Sequence, residues 1–327
     1  MAKITVSAPG KLMLLGEHSV VYDRPCLVTA VDSRVHVQIK TTKVPTLTIN
    51  APEVEIKNYK RSITDFKPSK KLPRGVQFIE AVLQILYEKY KLNSGLSIRT
   101  RNGFSSKYGL GSSSAVSVCT AKGISELFNL KLSNQEIFEI AYQAVLEVQG
   151  VGSGFDVAAA IWGGTLYFET GGKVIEPLEI KKLPLIVVYS GVKADTATIV
   201  KKLAKMRTLK PNYVNSRFDL ITKLVKKARD LIETKRWEEL GELFNKNQKI
   251  LHDLGVSTDI LHKLCVTSIL HGAEGAKLSG SGGGDCLIVM SANGHKHVIE
   301  QRLVEAGGTL VPVETGAKGV SIDEKSN

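Results

Sequence analysis

Residues 107–115 read KYGLGSSSA, and the reading of this stretch governs that of the whole chain. A strand-like segment, Leu96–Thr100 (LSIRT), precedes it, and an apolar helical run, AVSVCTAKGISELF, follows it. Gly109 and Gly111 permit dihedrals and close backbone approaches that side chains obstruct. Ser112, Ser113 and Ser114 bring hydroxyls and N–H groups to a helix start. Such a start offers unpaired donors and the positive end of the helix dipole, which suits an anion. No Gly-Lys-Ser/Thr closes the stretch, so it is not a Walker A loop. It reads as a phosphate-binding loop or as a capped turn.

Two further segments share this character. Residues 277–285, KLSGSGGGD, put Gly280, Gly282, Gly283 and Gly284 between two strand-like runs. A hairpin needs one or two glycines, so four read as close backbone approach to a ligand or to the first loop, or as a flexible turn. Residues 7–22, SAPGKLMLLGEHSVVY, carry Lys11 after Pro9-Gly10 and before an apolar run, which directs its ammonium to a defined place. Glu17 and His18 are polar groups in apolar surroundings; each contacts substrate or satisfies buried backbone. Asp156 in VGSGFDVAAAIWGG enters an apolar helical run. An aspartate there is hydrogen-bonded, functional, or an N-cap for VAAAIW.

Periodicity supplies the rest. Ile4–Ala8, Val35–Ile39 and Thr165–Glu169 read as strands, and residues 75–90 as a helix with Phe78, Val82, Ile85 and Leu86 on one face. Ser133 and Glu136 form a capping box before a helix burying Ile137, Ile140, Ala141, Ala144, Val145 and Val148. A second unit begins near Lys181. Leu185–Tyr189 is a strand, two helices follow (Ile221–Leu231 and Trp237–Phe244), then strands AKLSG and CLIVM, the helix HKHVIEQRLVEAG and a last strand TLVPVE. This order is a split βαβ plan with an added helix. The expected division is 1–180 and 181–327.

Bulk composition excludes several classes. The chain has 327 residues and is 43% hydrophobic and 23% charged, which fits a globular protein with a sizeable core. No run is long enough to span a bilayer, and the N-terminus lacks a signal peptide's apolar stretch, so a cytoplasmic protein is expected. Cys26, Cys119, Cys265 and Cys286 are scattered, which argues for reduced core thiols rather than metal ligands or disulfides. The net charge of +12 admits nucleic acid, an anionic membrane or a polyanionic small molecule. The densest basic stretch, 201–210 (KKLAKMRTLK), has no interleaved aromatics, which argues against nucleic acid.

The three glycine- and serine-rich segments, in this order, resemble the GHMP kinases. The resemblance implies an α+β fold, with a ribosomal-S5-domain-2-like N-terminal domain and a ferredoxin-like C-terminal domain around a cleft. It also implies an enzyme that uses ATP and Mg2+. Within the family, PGKLMLLGEHSVVYDRPCLVTAVD, SGVKADTATIVKKL, Asn245-x-Asn247 with ILHDLGVSTDIL, and GGTLVPVETGAKGVSID are similar to the mevalonate kinases. Lys107 before the loop, GSGFDVAAA and GGGD at Asp285 are similar to the phosphomevalonate kinases. The implied substrate is mevalonate, with 5-phosphomevalonate as the alternative and a non-catalytic binding protein of the same fold as the rival from another class.

The implied roles follow. Asp156 and Lys11 are catalytic. Lys107, Gly109, Leu110, Gly111, Ser112, Ser113, Ser114, Gly282 and Gly283 bind ATP. Glu17, His18, Thr196 and Gly280 contact substrate. Ser113 touches magnesium, and because Val145 stands where mevalonate kinases carry a magnesium-binding glutamate, Glu147 is the candidate second ligand. The resemblance leaves room for a homodimer and gives no part to membrane or nucleic acid.

Overall fold

The alternation of KITV opens a long strand, β1 (Lys3–Leu15), in a computed structural model that describes residues 2–63, 66 and 72–326. Ile4 is fully buried while Lys3 and Thr5 are half-exposed; from Val6 onward every residue is buried, so the strand's second half is covered on both faces. β2 (Pro25–Thr42) pairs antiparallel with β1 along nearly its whole length. The hairpin β3 (Thr46–Ala51) and β4 (Ile56–Ser62), helix α1 (Arg74–Tyr90) and strand β5 (Gly95–Asn102) come next. Helices α2 (Ser112–Leu127), α3 (Asn134–Gln149) and α4 (Phe155–Trp162) lead to strands β6 (Thr165–Glu169) and β7 (Ile175–Leu178). The capping box at the start of α3 is formed as expected, with Ser133 and Glu136 exchanging hydrogen bonds.

β2 is the hub of this first sheet. Its first half pairs with β6 and its second half with β5, while β1 runs along its other edge. β5 continues through a parallel contact to β3 and then to β4. Helix α2 packs on β1 and β2, with α1 and α3 beside it. The β3–β4 hairpin was not among the sequence-based expectations, although Leu47, Ile49 and Ala51 alternate as a half-buried strand requires.

The second sheet is built from β8 (Leu185–Tyr189) and, beyond four helices, three further strands. The helices are α5 (Thr196–Leu209), α6 (Pro211–Glu233), α7 (Trp237–Asp253) and α8 (Asp259–Leu270). The strands are β9 (Gly275–Ser279), β10 (Cys286–Met290) and, after α9 (Lys296–Glu305), β11 (Thr309–Leu310). The order β11-β8-β10-β9, antiparallel throughout, is the ferredoxin-like arrangement. Sequence reasoning expected two helices between β8 and β9; α5 and α8 are the additions. α5 escaped notice because it buries only Leu203, so its sequence carries no apolar stripe.

The last strand also differs from expectation. TLVPVE pairs only at Thr309 and Leu310, since Pro312 has no N–H for a ladder. The chain then crosses back, and β12 (Ser321–Ser326) joins the first sheet alongside β1. The expected division at residue 180 falls between β7 and β8, where the chain leaves one sheet for the other. All four cysteines are buried and free. Among the described residues no helix is long and apolar enough to cross a membrane.

Candidate functional site

The GLGSSS segment begins with a 3-10 turn, Ser106–Tyr108, in which the Lys107 N–H is accepted by Ser105 Oγ. Gly109 (φ 71°) and Gly111 (φ 81°) are both left-handed, a conformation strained for side-chain-bearing residues. Gly111 caps α2 without any side-chain cap, so the first N–H groups of the helix have no intrahelical acceptor. Ser112 and Ser113 are half-buried at that end. Ser114 is fully buried and serves differently from the nucleotide contact expected of it: its hydroxyl donates to Asp156 Oδ2 at 2.6 Å.

Asp156 sits in the first turn of α4, whose N-cap is Gly154 (φ 91°); the N-cap reading of Asp156 is therefore corrected. Its Oδ1 accepts the Val157 N–H at 3.0 Å. Lys11, on the doubly covered part of β1, donates from its backbone N–H to the Leu110 carbonyl and from Nζ to the Gly109 carbonyl, both at 2.9 Å. Burial pulls the Lys11 pKa below the usual lysine value, and the charges of Asp156 and Asp285 oppose that pull. The site thus joins a helix N-terminus, a carboxylate bonded to that helix's first turn, and a buried ammonium bonded to its loop.

The second glycine segment closes the site from the other domain. A Cβ on Gly282 would lie 2.2 Å from the Val256 carbonyl oxygen, and one on Gly284 2.4 Å from that of Val192. These glycines thus admit close protein backbone, and the Gly283 N–H is itself bound to the Val256 carbonyl at 2.8 Å. Gly280 faces open space. Around it gather two residues expected at the substrate: His18 Nε2 bonds the Ser281 carbonyl at 2.9 Å, and Thr196 Oγ1 bonds the Ser281 hydroxyl at 3.0 Å. Burial lowers the His18 pKa to about 4, so the ring is neutral and Nε2 carries the donated hydrogen.

Two expected residues lie elsewhere. Glu17 is fully buried, ion-paired with the equally buried Lys277 and accepting from Asn247 Nδ2 at 2.9 Å; its oxygens are taken and it cannot meet a substrate. Glu147 is exposed and accepts from Gln143 one turn earlier, on the side of α3 opposite the buried stripe, so it is corrected as a magnesium ligand. Lys107 is exposed beside the loop. Sequence reasoning missed Ser281 and Ser153. The Ser153 hydroxyl is buried without a protein partner, three residues before Asp156. The serine of GSG was the available signal.

The donor set can be tested for a divalent cation. Among the described residues no group of three His, Cys, Asp or Glu side chains could hold a metal. The hard oxygens here are those of Ser113 and its neighbours and of the Asp156 carboxylate. Magnesium retains several waters and takes phosphate oxygens readily, so a sparse protein shell fits it.

Comparison with known proteins identifies the family. Residues 77–164 match the GHMP kinases N terminal domain and residues 228–306 the GHMP kinases C terminal domain. The mevalonate kinase of Pyrococcus furiosus is 32% identical over 335 residues, covering 98% of this chain and 99% of its own. That of Thermococcus gammatolerans is 33% identical over 340 residues, covering 98% and 99%. The crystal structure of the Methanococcus jannaschii mevalonate kinase has a similar fold, with a TM-score of 0.81 at 23% identity, covering 96% of this chain and 98% of that one.

Proposed function

The chain belongs to the GHMP kinase family, and from that premise we propose that it transfers the γ-phosphoryl group of ATP to the 5-hydroxyl of mevalonate. The observation that carries the reading is the convergence of Lys11, the Ser114–Asp156 pair and the open N-terminus of α2.

Phosphoryl transfer demands positioning and charge neutralisation more than covalent chemistry. The α2 N-terminus and the loop N–H groups bind the phosphates, with the Ser112 and Ser113 hydroxyls beside them. Ser113 would hold magnesium, which when bound would supply neutralisation of the phosphate charge. Asp156 accepts the proton of the substrate hydroxyl as that oxygen bonds to the γ-phosphorus and the bond to the ADP oxygen breaks. Ser114 fixes the carboxylate rotamer through its 2.6 Å bond. Lys11 stabilises the charge that spreads over the transferring group. His18, Ser281, Thr196 and Gly280 frame the acceptor side.

Charge favours mevalonate over its phosphorylated relative. A second phosphate needs additional free cations, and of the two lysines considered for it Lys193 is engaged by Asp285 while Lys107 is exposed beside the loop. The relatives that match over the full length carry the name mevalonate kinase. The test is a coupled ADP-release assay with mevalonate and 5-phosphomevalonate side by side. Turnover with mevalonate is expected, falling about 10²–10⁴-fold in Asp156→Asn. Turnover only with 5-phosphomevalonate would overturn the acceptor, and turnover with neither would overturn the reading.

A further inference from the structure

The transfer described above leaves Asp285 without a part, although it stands where the two glycine loops meet. Its backbone is left-handed (φ 55°), with its N–H bonded to the Val192 carbonyl at 2.8 Å and its carbonyl accepting from the Ser190 N–H at 2.9 Å. Oδ1 accepts from the Ala194 N–H and from Lys193 Nζ, each at 3.0 Å. The carboxylate lies against Gly109, where a Cβ would be only 2.4 Å from Oδ2. The carbonyl of that same Gly109 receives Lys11 Nζ. Adjacent contacts fix the junction: Tyr108 packs on Tyr189 with ring centroids 5.3 Å apart, and Cys286 Sγ donates to the Tyr108 carbonyl at 3.1 Å.

We propose that Asp285 is a positioning residue for the reaction: set against Gly109, its negative charge keeps the Lys11 ammonium charged and bonded to the loop, and Lys193 tempers that charge. The proposal rests on the reading that Lys11 serves phosphoryl transfer. Among the described residues four ionisable groups face Lys11: Asp156 from α4, Asp285 and Cys286 from the β9–β10 connection and β10, and Lys193 from the β8–α5 connection. The Cys286 thiol, pushed up to about 12 by burial, contributes no charge at neutral pH. Asp156 and Asp285 favour the ammonium, while burial and Lys193 disfavour it. Two carboxylates thus offset one desolvated site, one from each domain. Of the two carboxylates only Asp285 depends on the domains being docked, as does the opposing Lys193.

The sign of each change is determined. Lys11 acts as a cation, so activity falls as pH rises through its pKa. Asp285→Asn retains an oxygen for the Ala194 N–H, and asparagine tolerates the left-handed backbone, so the substitution removes charge more than shape. It should move the high-pH limb of kcat down by about one pH unit, with the ATP KM changed less than about twofold. Lys193→Met should move the limb up, and the double variant should return toward the parent. The Lys11 resonance in enzyme labelled with 13Cε-lysine, assigned by Lys11→Arg, should titrate with the same three displacements in the absence of turnover. That measurement stands whichever alcohol is the acceptor. An unchanged Lys11 titration in Asp285→Asn would overturn the proposal, as would Asp285→Asn and Lys193→Met moving it in the same direction. If Asp285→Asn fails to fold, Lys193→Met alone decides, since no upward shift would count equally against it.

Discussion

His18 shows how a single side chain can carry both a structural and a titratable burden. It is held at φ 60°, almost fully buried, with its ring bonded to the Ser281 carbonyl of the other domain. Burial lowers its pKa from 6.5 to about 4. Because the folded value lies below the unfolded one, the unfolded chain takes up the proton first on acidification. This contribution to stability is intact above about pH 6.5 and is lost as pH falls toward 4, by about 3 kcal/mol in all. The urea midpoint should drop over that window, and His18→Asn should flatten the slope. An equally steep slope in the variant would assign the acid sensitivity to other groups.

At the scale of the element, the unit that matters is the loop 105–111 together with the first turn of α2. Its shape depends on left-handed glycines and on contacts from three directions: Lys11 from β1, Asp156 from α4 and Asp285 from the second glycine loop. Gly109→Ala confronts the unit with a left-handed alanine and a methyl carbon 2.4 Å from Asp285 Oδ2. The loop must shift, and with it the N–H groups proposed to hold the phosphates. We expect the ATP KM to rise at least about tenfold while the urea midpoint falls by only about 1–2 kcal/mol equivalent. Loss of stability with an unchanged KM would show that the loop does not shape the nucleotide site. The same element explains why Ser112, Ser113 and Ser114 have separate duties: successive helical residues point 100° apart, and only Ser114 is turned inward to Asp156.

Across the whole molecule, the two domains are stitched where β1 meets β9. The Ser279 hydroxyl both accepts the Met13 N–H and donates to the Met13 carbonyl, at 3.0 Å each. β9 is an edge strand, and α7 covers its edge through Asn245, bonded to the Ala276 N–H and the Glu274 carbonyl, and Gln248, bonded to the Leu278 N–H. Behind this seam lies the Glu17–Lys277 pair, wholly excluded from solvent, with Lys277 also donating to the Leu278 carbonyl at 2.5 Å. Burial raises the Glu17 pKa and lowers that of Lys277, while each partner opposes the other's shift. Such a pair is costly to break and near neutral to replace. Glu17→Gln should lose about 3–5 kcal/mol in urea unfolding, and Glu17→Leu with Lys277→Met should recover most of it. A double variant no more stable than the single one would mean that the seam requires the charges themselves.

The local sequence by itself determined those features whose physics is local: the capping box of α3, the alternation of β1, the apolar face of α1 and the glycine–serine turn into α2. It also marked Lys11 and Asp156 as polar groups in apolar company, which burial permits only with partners or purpose. Tertiary structure alone decided the partners. Glu17 and His18 are adjacent in sequence, yet one is sealed against Lys277 and the other reaches Ser281, because the turn after β1 lies on the domain seam and sends successive side chains in different directions. Glu147 and Val145 are likewise two residues apart on opposite sides of α3. Asp285 acquired its place only because the two glycine loops touch, a contact between residues 176 positions apart that no local pattern encodes.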